Sequence, residues 1–173
     1  MVSSGLVDRV DVSHFRLAVH LLIAFVIISL ILWNYLQLRN DNHFNQNLNK
    51  FIPIFFLIFI FTQITVGAFV SGMDAGKIYN SWPLMGSSYF PDDSNFIDLF
   101  SLSTLSEPSL VQFIHRNLAY FICIFYLTIL MQIYKKKLTN LYFIIRLIGF
   151  LLLVQIILGI FTLLYSAQMF LAS

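Results

Sequence analysis

The sequence predicts an all-α integral membrane protein, a polytopic bundle of four transmembrane helices, and its composition is the first observation that does so. The chain has 173 residues, of which 59% are hydrophobic and only 10% are charged. Soluble domains carry about 25% charged residues, so a water-facing surface is excluded. Disorder, collagen and coiled coils are excluded with it. A single cysteine, Cys123, also excludes an internal disulfide or a cysteine-rich metal site.

Four long apolar stretches are the second observation. Crossing about 30 Å of hydrocarbon takes roughly 20 apolar residues, and backbone groups in lipid must pair within their own segment, which favours helices. The sequence predicts transmembrane helices at about 15–38, 51–70, 111–134 and 141–165, with a long outer loop at about 71–110. We expect residues 1–173 to form one membrane domain.

The charges in the connections predict the orientation of the helices. The third connection contains Lys135, Lys136 and Lys137, whereas the loop at 71–110 holds five acidic residues against Lys77 alone. The positive-inside rule places the lysines in the cytoplasm and the acidic loop outside. Both chain ends then lie outside. Because residues 1–14 contain no signal peptide, we expect the chain to begin within a larger protein.

Two histidine–arginine pairs lie inside the predicted spans at similar depth. Arg16 and His20 are four residues apart in the first helix, and Gln112, His115 and Arg116 share one face of the third. Ionisable residues within a membrane usually mark a functional site. Imidazoles are axial ligands of haem iron, and guanidinium groups bind carboxylates such as haem propionates. The pattern therefore favours haem binding.

Ordinary structural roles remain open for these and other polar residues. A histidine near a helix end also reaches lipid headgroups or water, and arginines there extend their side chains to the interface. His14 precedes the first helix and His43 lies in a polar loop, so we expect both to be solvated. Cys123, among apolar neighbours, is most simply a core residue.

A short internal repeat links the second and fourth helices. Gln63 and Gly67 have the same spacing as Gln155 and Gly159. Glycine permits close approach of another helix or of a flat ligand, and glutamine offers a buried hydrogen bond. Ordinary helix packing is the alternative explanation. In the long loop, Gly, Asn and Pro predict turns, and its length is typical of a lid or the edge of a site.

Three strings together resemble one family, haem A synthase of the proteobacterial and mitochondrial type, a cytochrome oxidase assembly factor. They are RLAVHL from Arg16, GAFVSGMDAG from Gly67 running on to YNSWPLM from Tyr79, and QFIHR from Gln112. The resemblance covers nearly the whole chain. It implies an eight-helix architecture with pseudo-two-fold symmetry, of which this chain corresponds to the end of helix three, residues 1–6, through helix seven.

The resemblance also implies an oxidoreductase that converts the C8 methyl of haem O to the formyl group of haem A, with haem b as cofactor and haem O as substrate. By resemblance, His20 is one ligand of the substrate haem iron and His115 is one ligand of the haem b iron. Arg16 and Arg116 are the candidates for propionate contacts. Gln112 stands near where the family has a catalytic acid, so no catalytic residue is assigned. The partner histidines belong to family helices two and eight, which this sequence lacks, and we expect the isolated chain to bind haem weakly and to be inactive.

The expected partners follow from the same resemblance. They are the lipid bilayer, haem O, an unidentified electron acceptor, haem O synthase and other cytochrome oxidase assembly factors, with a homo-oligomer left open and no nucleic acid. The expected location is the bacterial inner membrane, or the mitochondrial inner membrane if the protein is organellar. Two alternatives stay open: a b-type electron carrier without catalysis, and an assembly fragment that binds no haem.

Overall fold

The computed structural model of the protein describes residues 13–38, 49–101 and 103–165. Two of the sequence expectations fall outside these ranges. They are the assignment of residues 1–6 to the tail of a preceding helix and the solvated position of His43.

Four long helices make up the fold, and each is long and apolar enough to cross a membrane. They are α1 (His14–Leu38), α2 (Phe51–Gly72), α3 (Pro108–Lys135) and α4 (Tyr142–Leu164). Helix α3 begins earlier than the sequence predicted because proline, which lacks a backbone N–H, is well suited to a first helical turn. The described residues contain no β-strand. The predicted fold class, a four-helix membrane protein, is confirmed.

Helices α1, α2 and α3 meet at the end of the bundle that carries the long loop, here called the loop end. Ala18 of α1, Phe69 of α2 and Val111 of α3 belong to one buried cluster. The end of α2 lies directly against the start of α1, since a Cβ added at Gly72 would be 2.9 Å from His14 Cα. A small residue is therefore required where these two helices cross. The expectation that His14 precedes the helix and is solvated is wrong: it is the first residue of α1, and its Nε2 is buried by packing on Phe69.

At the opposite end, called the lysine end, α4 packs mainly on α3. The hydroxyl of Tyr126 donates to the carbonyl of Ile145 at 3.0 Å. A Cβ added at Gly149 would overlap that hydroxyl. The tyrosine hydroxyl therefore fits against α4 only because position 149 has no side chain. Most of the remaining surface of α4 carries exposed apolar side chains, as expected of a helix in lipid.

The connection between α2 and α3, residues 73–107, is here called the α2–α3 loop. It contains three short 3-10 helices, at Ala75–Lys77, Phe96–Phe100 and Thr104–Ser106. Met85 and Ala75 are almost completely buried. The loop is therefore a folded cap at the loop end of the bundle.

Candidate functional site

His115 of α3 is held against α2 by a glutamine. The side-chain amide nitrogen of Gln63 lies 3.2 Å from His115 Nε2 and 3.2 Å from the backbone oxygen of His115. A carbonyl oxygen accepts only, so the Gln63 NH₂ group must face it. The same group can then donate its second hydrogen to Nε2, which fixes the ring orientation and places the imidazole hydrogen on Nδ1.

Glycine at position 67 makes room for this imidazole. A Cβ added there would be 3.1 Å from His115 Cε1 and 3.7 Å from Nδ1. Gln63 and Gly67 are one helical turn apart, so they lie on the same face of α2. Together they form a seat for the ring, called here the His115 seat.

Three polar atoms near the His115 seat are buried without a hydrogen-bond partner among the residues that the structure describes. They are His115 Nδ1, Gln63 Oε1 and Gln112 Oε1. Leaving a buried polar atom unpaired costs about 1–3 kcal/mol. The unpaired ring nitrogen is therefore the atom at this site that a bound group is best placed to satisfy.

The other predicted haem ligand, His20, is exposed on the surface of α1, as is Arg16. Ala18 of α1 is buried against α2 and α3. Each of the two exposed residues is two positions from Ala18, and at about 100° per residue they point to the opposite side of the helix. The structure therefore places His115 between two helices, and leaves the predicted site residues of α1 on a face that these four helices do not cover.

Arg116, which the resemblance implied would contact a haem propionate, forms hydrogen bonds with the α2–α3 loop in the structure. Its guanidinium donates to the backbone carbonyls of Ser81 at 2.9 Å, Tyr79 at 3.0 Å and Leu84 at 3.3 Å. These contacts tie three points of the loop to the residue that follows His115. Sequence alone could not show this, because the acceptors are backbone atoms far away in the chain.

Gln112 reinforces the same attachment. Its side chain is 2% exposed, and its amide nitrogen donates to the Tyr79 carbonyl at 3.0 Å. That carbonyl is also an acceptor for Arg116. Gln112 therefore acts in the structure as a support for the loop, at the position where the resemblance implied an acid.

Further hydrogen bonds join the loop to the first turns of α3. Ser109 donates to Asp93 at 2.6 Å, and the hydroxyl of Tyr89 donates to Asn117 at 2.6 Å. Burial raises the pKa of the Asp93 carboxyl, but the hydrogen bonds it accepts from Ser109, Tyr79 and Ser94 outweigh this, and the pKa is lowered overall. The loop is thus attached to α3 along three helical turns.

Asp92 organises the loop itself. It accepts from the backbone N–H of Ser87 at 2.9 Å and from the hydroxyls of Ser87 and Ser88 at 3.0 Å. These bonds lower its pKa below the ordinary value of 3.8. A carboxylate with a lowered folded pKa stabilises the fold above its unfolded pKa, and that contribution disappears as the pH falls through the folded value.

We therefore expect the loop to be insensitive to pH from neutrality down to about pH 5 and to loosen only when the pH falls below the ordinary carboxyl pKa. The fluorescence of Trp82, measured in a Trp33→Phe background, reports on this segment. The Asp92→Asn variant should show the loosened signal already at neutral pH. Equal signals from the variant and its parent at neutral pH would contradict the role given to Asp92.

In the sequence, Gln63 and Gly67 stand out only as half of a repeat, and nothing in the repeat indicates that they hold a histidine. The available signal was their spacing of one turn within an apolar helix. The backbone carbonyl of Tyr79 accepts hydrogen bonds from two side chains of α3. The sequence could not predict this, because every residue has a backbone carbonyl.

Comparisons with known proteins bear on the whole chain. Residues 1–173 match the family COX15-CtaA, described as "Cytochrome oxidase assembly protein". The chain is 42% identical over its full length to a protein named "Heme A synthase" from Pelagibacter ubique and covers 51% of it. A protein of the same name from Flavobacterium johnsoniae is 39% identical over 98% of the chain, with 51% of its own length covered.

A third relative of that name, from Rickettsia bellii, is 38% identical over the full chain, with 53% of its own length covered. The chain therefore spans about half the length of the curated relatives it matches. No solved structure matches it. The chain, a membrane protein by its four helices and matched by the family model along its whole length, belongs to the family of cytochrome oxidase assembly proteins.

Proposed function

We propose that this chain is part of a haem A synthase and that His115 is its ligand to haem b. The observation that carries this proposal is the His115 seat. An imidazole is oriented between Gln63 and Gly67, and its Nδ1 is buried without a partner among the described residues. Nδ1 would bind iron in the tautomer with the hydrogen on Nε2, and the Gln63 amide would then turn so that its unpaired Oε1 accepts that hydrogen. Relatives that share the whole length of the chain are named "Heme A synthase", and this supports the assignment.

The residues of this chain fit a haem on chemical grounds. A histidine that ligates iron is usually held in one orientation by neighbouring groups, and Gln63 supplies that restraint for His115. His20 fits in a different way. It is exposed on the free face of α1, where we propose that it ligates the iron of the substrate, haem O.

The two arginines receive different roles under this proposal. The guanidinium of Arg116 already donates to three loop carbonyls, and we propose that it holds the α2–α3 loop over the site. Arg16 is exposed and has no ion pair or hydrogen bond within the part of the chain that the structure describes. It is therefore the better candidate for a propionate contact.

The methyl C–H bonds of haem O are too inert for side-chain chemistry, so bound haem supplies the redox chemistry that forms the formyl group. The chain contributes ligation through His115 and His20, and it orients the imidazole of His115 through Gln63. The loop, fixed by Arg116, keeps water away from the site. These residues bind and position, and the protein's electron acceptor is a separate partner.

A chimera tests the haem assignment. In it, this chain replaces the matching half of the Pelagibacter ubique relative. We expect the chimera to bind low-spin haem and to form haem A, measured by Soret absorbance and by chromatography of extracted haem. His115→Ala should remove the haem b signal because an axial ligand is lost. His43→Ala, which changes a histidine that we expect to be solvated, is the matched control.

Each result decides a different part of the proposal. Unchanged haem content in the His115→Ala chimera would overturn the ligand assignment. Haem that binds and never acquires a formyl group would favour the electron carrier over the enzyme.

We propose that the protein lies in the bacterial inner membrane, or in its mitochondrial counterpart, with the α2–α3 loop outside. The single native cysteine is first replaced by Cys123→Ser, and Lys136→Cys or Ile97→Cys is then added. In intact cells an impermeant thiol reagent should label position 97, which is 80% exposed in the loop, and should leave position 136 unlabelled. Labelling of position 136 alone would reverse the orientation.

A further inference from the structure

The charged side chains of the described residues are divided between the two ends of the bundle. The acidic ones all lie in the α2–α3 loop, at the loop end. The lysine end has no acidic side chain among the residues that the structure describes, and it carries the cations Lys50, Lys135, Lys136, Lys137 and Arg146. A surface with one sign of charge concentrates ligands of the opposite sign. The lysine end is therefore suited to bind an anion.

Arg146 differs from the four lysines because it lies within a membrane-spanning helix. It is exposed on α4. Leu164, the last residue of α4, is about 27 Å further along the helix axis at 1.5 Å per residue. The hydrocarbon core is about 30 Å thick. When the far end of α4 reaches one boundary of the hydrocarbon, Arg146 therefore lies at the other, at the level of the lipid headgroups.

Two tyrosines hold the Arg146 side chain in one orientation. Its Nε donates to the hydroxyl of Tyr134 at 3.1 Å, and its guanidinium carbon lies 5.8 Å from the centre of the Tyr142 ring. The two tyrosine rings stack on each other with 4.6 Å between their centres. An arginine that merely extends towards water needs no such contacts. The guanidinium is therefore oriented before any ligand binds.

The same contacts leave several hydrogen-bond donors for a ligand. A guanidinium has five N–H donors, and a hydroxyl that accepts one hydrogen bond can donate another. Within the part of the chain that the structure describes, neither Nη atom of Arg146 has an acceptor, and nor does the hydroxyl hydrogen of Tyr134. Paired guanidinium donors match two oxygens of a phosphate group. The exposed Lys135, which follows Tyr134, adds a second positive charge.

Apolar side chains surround Arg146 on the same face of α4. Phe143 and Phe150, three residues before it and four after it, are 77% and 61% exposed and lie on its side of the helix. Leu147 is also exposed. A phosphate bound to the guanidinium would thus lie beside a surface suited to acyl chains, which a phospholipid has and a soluble phosphate lacks.

We propose that Arg146, Tyr134 and Lys135 form a binding site for the phosphodiester of an anionic phospholipid. The Nη atoms of Arg146 and the hydroxyl of Tyr134 donate to the phosphate oxygens, and the acyl chains lie along α4. The surrounding lysines repel the ammonium group of a zwitterionic headgroup, so a lipid with net negative charge is preferred. The site lies at the lysine end and is independent of haem binding at the His115 seat.

Lipid titration of the full chain in a non-ionic detergent, followed by native mass spectrometry, tests the proposal. The probes are dioleoyl phosphatidylglycerol and dioleoyl phosphatidylcholine. We expect the first to bind about tenfold more tightly, which corresponds to about 1.4 kcal/mol. Arg146→Gln should reduce this preference to about twofold. Arg146→Lys keeps the charge and loses the paired donors, and should leave a preference of about threefold.

Two further variants separate a site from the general charge of this end. Tyr134→Phe keeps the ring and removes the hydroxyl, and it should lower the preference about threefold because one donor to the phosphate is lost. Lys50→Gln is the matched control. It removes one positive charge from the same end and lies outside the proposed site, so most of the preference should remain. Circular dichroism should show equal helix content in all variants.

Three outcomes would overturn the proposal. The first is equal affinity for the two lipids. The second is an equal loss of preference in Lys50→Gln and Arg146→Gln, which would show that only the summed charge of this end acts. The third is displacement of phosphatidylglycerol by inorganic phosphate or by a polyglutamate peptide, which would assign the site to a soluble anion or to an acidic protein segment.

Discussion

Replacing Arg116 with glutamine is expected to release the α2–α3 loop from α3. The change removes the guanidinium whose donors bind the carbonyls of Tyr79, Ser81 and Leu84. Hydrogen bonds from a charged donor contribute about 1.5–3 kcal/mol each, and we expect about 3 kcal/mol from the set because it is partly exposed to water. Amide hydrogen exchange across residues 79–90 should therefore accelerate about a hundredfold.

The matched control is Arg146→Gln in α4. Among the residues that the structure describes, Arg146 donates a hydrogen bond to the hydroxyl of Tyr134 at the lysine end, far from the loop, and its loss should leave loop exchange unchanged. Arg116→Lys keeps the charge with fewer and less directed donors, and should give an intermediate rate. Loop exchange that is unaltered in Arg116→Gln would show that the loop is held by its other contacts.

Replacing Gly67 with valine is expected to unseat His115. Even a Cβ would approach His115 Cε1 to 3.1 Å, and the two valine methyl groups extend further into the same space. Overpacking of this kind costs about 1–3 kcal/mol, and here it also breaks the hydrogen bond between Gln63 and the imidazole. We expect a lower unfolding midpoint of the chain in detergent, and loss of the haem b signal in the chimera.

Gly76→Val is the control for this substitution, because a Cβ at Gly76 would meet nothing within 4 Å. It should leave both the midpoint and the haem signal unchanged. Full haem binding by the Gly67→Val chimera would show that the His115 seat is unnecessary for ligation.

The number, length and order of the membrane helices could be predicted from the sequence because they depend on local composition. Each span is a run of apolar residues long enough to cross hydrocarbon, and backbone pairing in lipid then requires a helix. The start of α3 at Pro108 was missed because it lies before the apolar run, although proline is well suited to a first helical turn.

Part of the candidate site could also be predicted from local sequence. His115 and Arg116 were identified as ionisable residues within a predicted span, and ionisable residues are rare there. The Gln63 and Gly67 spacing placed two small or polar groups on one helix face. Neither pattern predicted that Gln63 and Gly67 contact His115. Helical periodicity predicts which residues share a face of one helix, and it does not predict which other helix packs against that face.

By itself the sequence determined that this is a four-helix membrane protein, and it supplied the strings that resemble haem A synthase. The tertiary structure decided that His115 lies in a seat on α2 while His20 faces outward, and that Arg116 holds the α2–α3 loop. The physical reason is the range of the interactions. Hydrophobic length and backbone pairing act within one segment, whereas a seat for an imidazole and acceptors for a guanidinium arise only when distant segments pack together.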